Sequence, residues 1–102
     1  MAITLPNGYT MTSTFFEDFQ IADKFGVKGV EETFENAFNS WKCNHVYLTE
    51  LAIVMSNNSI MHYVHGHMEL SKTYTELYRK IDTYCMDNLK SEELQFYLKA
   101  TD

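Results

Sequence analysis

Proline, glycine and cysteine are scarce in this sequence, with one, four and two occurrences in 102 residues. Because proline and glycine interrupt helices and strands, their scarcity favours a compact domain of mostly regular structure. Cys43 and Cys85 are too few for a disulfide framework, and we expect them to be free, buried thiols of a reducing compartment.

Long apolar runs are also missing. No window approaches the roughly 18 consecutive apolar residues of a transmembrane helix. The first residues lack the basic and apolar regions of a signal peptide. We therefore expect a cytoplasmic protein with no membrane contact.

Basic residues are fewer than acidic ones, with 8 Lys and Arg against 14 Asp and Glu and a net charge of −6. Binding to phosphates draws on clustered Lys and Arg, so direct contact with nucleic acid is not expected. The acidic balance suits a basic protein partner, or serves solubility alone. The hydrophobic share of 45% is large enough for a buried core.

The longest helical pattern covers Met68 to Leu89. Its apolar residues recur with helical spacing and form one wide stripe, made of Leu70, Tyr74, Leu77, Tyr78, Ile81, Tyr84, Cys85 and Leu89. A stripe this wide must be covered by other elements, which places this helix in the middle of the predicted fold.

Shorter helices are predicted on both sides of it. Thr14 and Glu17 form a capping-box pattern that begins a first helix, in which Ile21 and Phe25 widen the apolar face of Phe15, Phe16, Phe19 and Ala22. The other predicted segments are about 29–43, 45–55, 60–64 after a polar break at 56–59, and a last turn or two capped by Ser91.

Residues 1–13 show a two-residue alternation of apolar and polar side chains, unlike the helical spacing of the other segments. Ile3, Leu5, Tyr9 and Met11 alternate with polar residues around Asn7-Gly8, a pattern typical of a β-hairpin with a type I′ turn. The sequence therefore predicts a mainly α fold of five or six helices. It forms a single domain over 1–102, with a short N-terminal hairpin at 1–13 and a helical body at 14–102.

A histidine cluster and the acidic residues are the main candidate sites. His62, His65 and His67 could together hold zinc or nickel, or could be surface histidines at a helix end. The acids Glu17, Asp18, Glu31, Glu32 and Glu35 lie near helix N-termini, where capping and the helix dipole explain them. They could also present carboxylates to a basic partner where phosphates would otherwise lie.

Tyr74 and Tyr78 are candidate interaction residues, because tyrosine on an apolar stripe favours half-buried positions and interfaces. The alternative is a small core whose edges lie close to solvent. No nucleophile motif, phosphate-binding loop or paired-histidine protease motif is present, so no catalytic residue and no cofactor is predicted.

A further set of segments is informative when taken together. They are Thr14-Phe15-Phe16-Glu17-Asp18-Phe19, Ile21 to Val27, Thr33-Phe34 with Ala37-Phe38 and Trp41-Lys42, Tyr47 to Leu51, and Asn88-Leu89-Lys90 to Asp102. In these segments the chain resembles a family of short proteins of phages and mobile elements of Gram-positive bacteria.

The resemblance implies an accessory protein that binds a host protein stoichiometrically. The sequence leaves open whether the protein is a monomer or a homodimer. One such host protein would be a nucleic-acid-binding defence protein, which makes an inhibitor of a CRISPR nuclease one form of the hypothesis. The alternatives are a metal-binding or catalytic protein that uses the three histidines, and a self-associating helical module.

Overall fold

A computed structural model describes residues 3–102, which form five helices and no strand. The helices are α1 (Phe15–Asp23), α2 (Gly26–Trp41), α3 (His45–Val64), α4 (Met68–Asn88) and α5 (Ser91–Thr101). The mainly α class and the number of helices agree with the prediction. No helix among these residues has the length and apolar character needed to cross a membrane.

The centre of the fold is α3. Its residues 48–55 are all buried, and α3 packs against each of the other four helices. The long α4 helix lies beside it and buries the core of its predicted stripe, including Tyr74, Leu77, Ile81 and Cys85. The prediction that α4 occupies the middle is therefore wrong, because α3 is buried on every side over two turns and α4 on one side only.

The predicted break at 56–59 is also wrong, since α3 continues through it as one helix of 20 residues. Two serines explain the continuity, because they join α3 to α4. The Ser71 hydroxyl donates to the Ser59 carbonyl at 2.8 Å, and the Ser59 hydroxyl donates to the Ser71 carbonyl at 3.2 Å. Ser59 therefore serves a helix–helix contact and does not end the helix.

The predicted N-terminal hairpin is not formed. Residues 3–11 make a tight turn with one isolated antiparallel bridge, between Thr4 and Thr10. Pro6 has no N–H for a ladder, and so short a ribbon is marginal in water by itself. The buried Glu50 side chain of α3 holds the segment instead, accepting hydrogen bonds from Tyr9, Thr12 and Ser13.

Two helix starts differ from the predicted caps. Thr14 precedes α1, but its hydroxyl donates to the Asp18 carboxylate at 3.2 Å and caps no backbone N–H. Before α5, the N–H of Lys90 donates to the Glu93 carboxylate at 3.1 Å, so Lys90 takes the capping position predicted for Ser91. At both helix starts the acceptor is a carboxylate of the first turn, Asp18 in α1 and Glu93 in α5, whereas the predicted caps have a Thr or Ser hydroxyl as the acceptor.

Candidate functional site

The most distinctive surface feature is a groove of about 540 Å³ between α1 and α2. Two large apolar side chains line it while remaining largely in water, Ile21 at 58% and Phe25 at 73% exposure. The sequence predicts that they widen the apolar face of α1 towards the core. That prediction is wrong for two reasons. Ile21 lies at least about 100° around α1 from the buried side chains of that helix, and Phe25 follows the end of α1 at Asp23, on the outside of the turn into α2.

Glycine makes this corner possible. Gly26 begins α2 with φ of +74°, in the left-handed region that favours glycine. Gly29 lets the helices approach closely, since a Cβ there would lie 2.5 Å from the Phe25 Cβ and 2.9 Å from the Ala22 carbonyl oxygen. The exposed position of Phe25 is therefore set by backbone geometry at two glycines.

Two of the five predicted acidic residues line this groove. Asp18 of α1 and Glu32 of α2 line it together with one base, Lys28. The other three predicted acids, Glu17, Glu31 and Glu35, are exposed on the same two helices. Within residues 3–102 the two ion pairs found both involve histidine, so these five carboxylates have no Lys or Arg partner there.

The three histidines do not converge on one point. His62 directs Nε2 at the Asp23 carboxylate, 2.9 Å away, and Nδ1 at Nδ1 of His67, 3.1 Å away. His65 instead places Nδ1 3.1 Å from the Met61 carbonyl of its own helix. No group of three or more His, Cys, Asp or Glu side chains in the described part of the chain could hold a metal ion. The predicted triad is thus a His62–His67 pair joined to Asp23.

The two predicted tyrosines have different surroundings. Tyr74 is fully buried, stacks on the His62 ring and donates its hydroxyl proton to Asp23, and burial raises its pKa. The prediction that it serves an interaction surface is wrong for this reason. Tyr78 is half-buried and lines a separate cleft of about 230 Å³ below the N-terminal turn.

The cysteines are both free. Cys85 is fully buried as predicted, and burial raises its pKa to about 12, which makes it a poor nucleophile. Cys43 is exposed just beyond the end of α2, contrary to the prediction of a buried thiol.

Sequence reasoning missed two sites. Glu50 was not singled out, although its position in an otherwise apolar stretch was a usable signal, because a buried carboxylate must find hydrogen-bond donors. The exposed tail of α3 was missed as well, since apolar residues on a helix ordinarily indicate the core.

Comparison of the chain with protein-family models, with curated proteins and with solved structures found no match.

Proposed function

We propose that this protein acts by binding another protein stoichiometrically, and that the α1–α2 groove with its surrounding carboxylates is the binding surface. The observation that carries the proposal is the exposure of Phe25 and Ile21 beside Asp18 and Glu32. A large apolar side chain flanked by charges is typical of an interface, where aromatic residues supply most of the binding energy.

The charges define the kind of partner. Over residues 15–41 there are six acidic and two basic residues, and five of the acids have no cationic partner in the described chain. A partner with Lys and Arg around an apolar pocket would complement this surface and would be steered to it electrostatically.

The resemblance to phage and mobile-element proteins narrows the partner to a host protein. Proteins that bind nucleic acid carry clustered Lys and Arg on the surface that contacts phosphates. The carboxylates of α1 and α2 would then occupy positions that phosphates take, and the protein would inhibit a nucleic-acid-binding defence protein such as a CRISPR nuclease.

The experiment begins with a pull-down from a host lysate, followed by identification of the captured protein and titration with the purified partner. Phe25→Ala should raise Kd at least about tenfold, the equivalent of about 1.4 kcal/mol, because Phe25 is the largest apolar group of the groove. Asp18→Lys with Glu32→Lys should slow association and reduce its dependence on salt.

Matched controls lie on other helices. Leu98→Ala removes an apolar side chain of 45% exposure on α5, and Glu76→Lys reverses an exposed charge on α4. Both should bind like the wild type. Equal affinity of Phe25→Ala and the wild type for the captured partner would refute the proposed surface.

A further inference from the structure

A second apolar surface lies on the last two turns of α3. Ile60, Met61, Tyr63 and Val64 are 54–70% exposed, and we refer to these four residues as the α3 tail surface. Together they expose on the order of 500 Å², near the upper end of the largest apolar patch on a typical monomer. Apolar patches of this size are often functional.

The α3 tail surface faces away from the rest of the helices. Neighbouring positions on α3 show its direction, because His62 contacts Asp23 of α1 and Ser59 bonds Ser71 of α4. Ile60 and His62 are two residues apart and thus point to nearly opposite sides of the helix. Ile60 and Val64 are four apart and share the outer side.

The charges around this surface decide between occupants. Residues 51–68 contain no Asp, Glu, Lys or Arg, although the whole chain carries a net charge of −6. Of the acids that flank this stretch, Glu50 is fully buried and Glu69 lies in the first turn of α4. The four residues of the α3 tail surface offer no ion pair to a charged partner, and the nearest titratable groups are His62 with Asp23, the exposed His65 and His67, and the exposed Glu69. Two copies of this chain could meet through the four apolar residues without bringing the acidic surfaces of α1 and α2 together.

We propose that the α3 tail surface binds the α3 tail surface of a second copy, in a two-fold symmetric dimer. Symmetric pairing needs only self-complementarity, which an uncharged apolar helix face provides. Burying the surface on both copies gives a small interface, so the dimer should be weak, with a Kd of roughly tens of micromolar. This inference does not depend on the α1–α2 groove.

The test is light scattering coupled to size-exclusion chromatography, from about 1 µM to about 1 mM protein. The wild type should change from the mass of one chain to that of two as its concentration rises. Val64→Glu should raise the dimer Kd at least about 100-fold, because it places two carboxylates in the contact. Ile60→Ser is a milder second variant, and circular dichroism would confirm that both variants keep their helix content.

Phe25→Ala separates the two proposals. The substitution removes an apolar side chain of similar exposure that lies outside the α3 tail surface. The Phe25→Ala variant should therefore dimerise with the same Kd as the wild type. A wild type that stays monomeric at about 1 mM would overturn the inference and leave the surface to another kind of partner. Unchanged dimerisation of folded Val64→Glu would overturn it too.

Discussion

Replacing Glu50 by glutamine tests how the N-terminal segment is held on the helices. The Glu50 carboxylate is fully buried and accepts four donors at 2.8–3.0 Å. They are the Tyr9 hydroxyl and the Thr12 hydroxyl and N–H, together with the Ser13 N–H. Glutamine offers one acceptor oxygen, and its amide N–H groups would face donors.

The magnitude follows from the hydrogen bonds that the charged carboxylate makes and a neutral amide cannot. A carbonyl oxygen can accept two hydrogen bonds, so Glu50→Gln removes about two of the four charge-assisted bonds, which contribute about 1.5–3 kcal/mol each. We expect a loss of about 3 kcal/mol in the free energy of unfolding, measured by urea denaturation followed by circular dichroism. Glu76→Gln is the control, since the same change at an exposed site should stay within about 0.5 kcal/mol.

The pH dependence provides a second, independent readout. Burial alone would raise the pKa of Glu50, yet the hydrogen bonds of the N-terminal segment outweigh burial and hold that pKa below its ordinary value. The stabilisation is therefore present at neutral pH and is lost as pH falls through the folded pKa. The difference in the free energy of unfolding between the wild type and Glu50→Gln should become smaller below about pH 4. A difference under about 1 kcal/mol at neutral pH, or one that widens in acid, would refute the reasoning.

Two further substitutions test the packing at the α1–α2 corner and beside it. Gly29→Ala should lower the free energy of unfolding by about 1–3 kcal/mol, although alanine favours a helix more than glycine does, because the new Cβ would clash with the Phe25 Cβ and the Ala22 backbone. An unchanged melting temperature in thermal denaturation would show that the α1–α2 corner can accommodate the methyl group. Tyr74→Phe removes the buried donor to Asp23 and should cost about 1.5–3 kcal/mol in urea denaturation. An unchanged midpoint for Tyr74→Phe would mean that the hydroxyl bond is not formed in solution.

Helical periodicity was enough to predict the class of the fold. The apolar stripe of α4 and the apolar run of α3 predict helices because buried positions on a helix recur every three or four residues. The polar run at 56–59 was misread because its partners, Ser71 and Thr75, lie more than ten residues away and no local rule reveals them. Side-chain contacts between helices thus set the length of α3.

The candidate surfaces were predictable only in part. Charged carboxylates are rarely buried without a partner, so the solvent exposure of the five acids followed from sequence. Their predicted place near helix N-termini is correct for Glu17 and Asp18 in α1. It is wrong for Glu31, Glu32 and Glu35, because α2 begins at Gly26 and has no acidic residue in its first turn. Which apolar residues reach solvent did not follow from sequence, because the prediction counts Phe25 with the apolar face of Phe19, although six positions correspond to roughly 120° around an ideal helix. Phe19 is buried and Phe25 is not, since the chain turns at Gly26 between the two helices.

The geometry of α3 also bears on how the two proposed surfaces would operate together. The His62 ring faces α1, where it contacts the Asp23 carboxylate, whereas Ile60 and Val64 lie on the opposite side of α3. Pairing of two copies through the α3 tail surface would therefore leave both α1–α2 grooves open. The dimer would present two acidic grooves to a partner. A partner with two basic sites would then bind the dimer more tightly than it binds one chain, because after the first site is occupied the second binds at a high effective concentration. No new contact is needed for this gain.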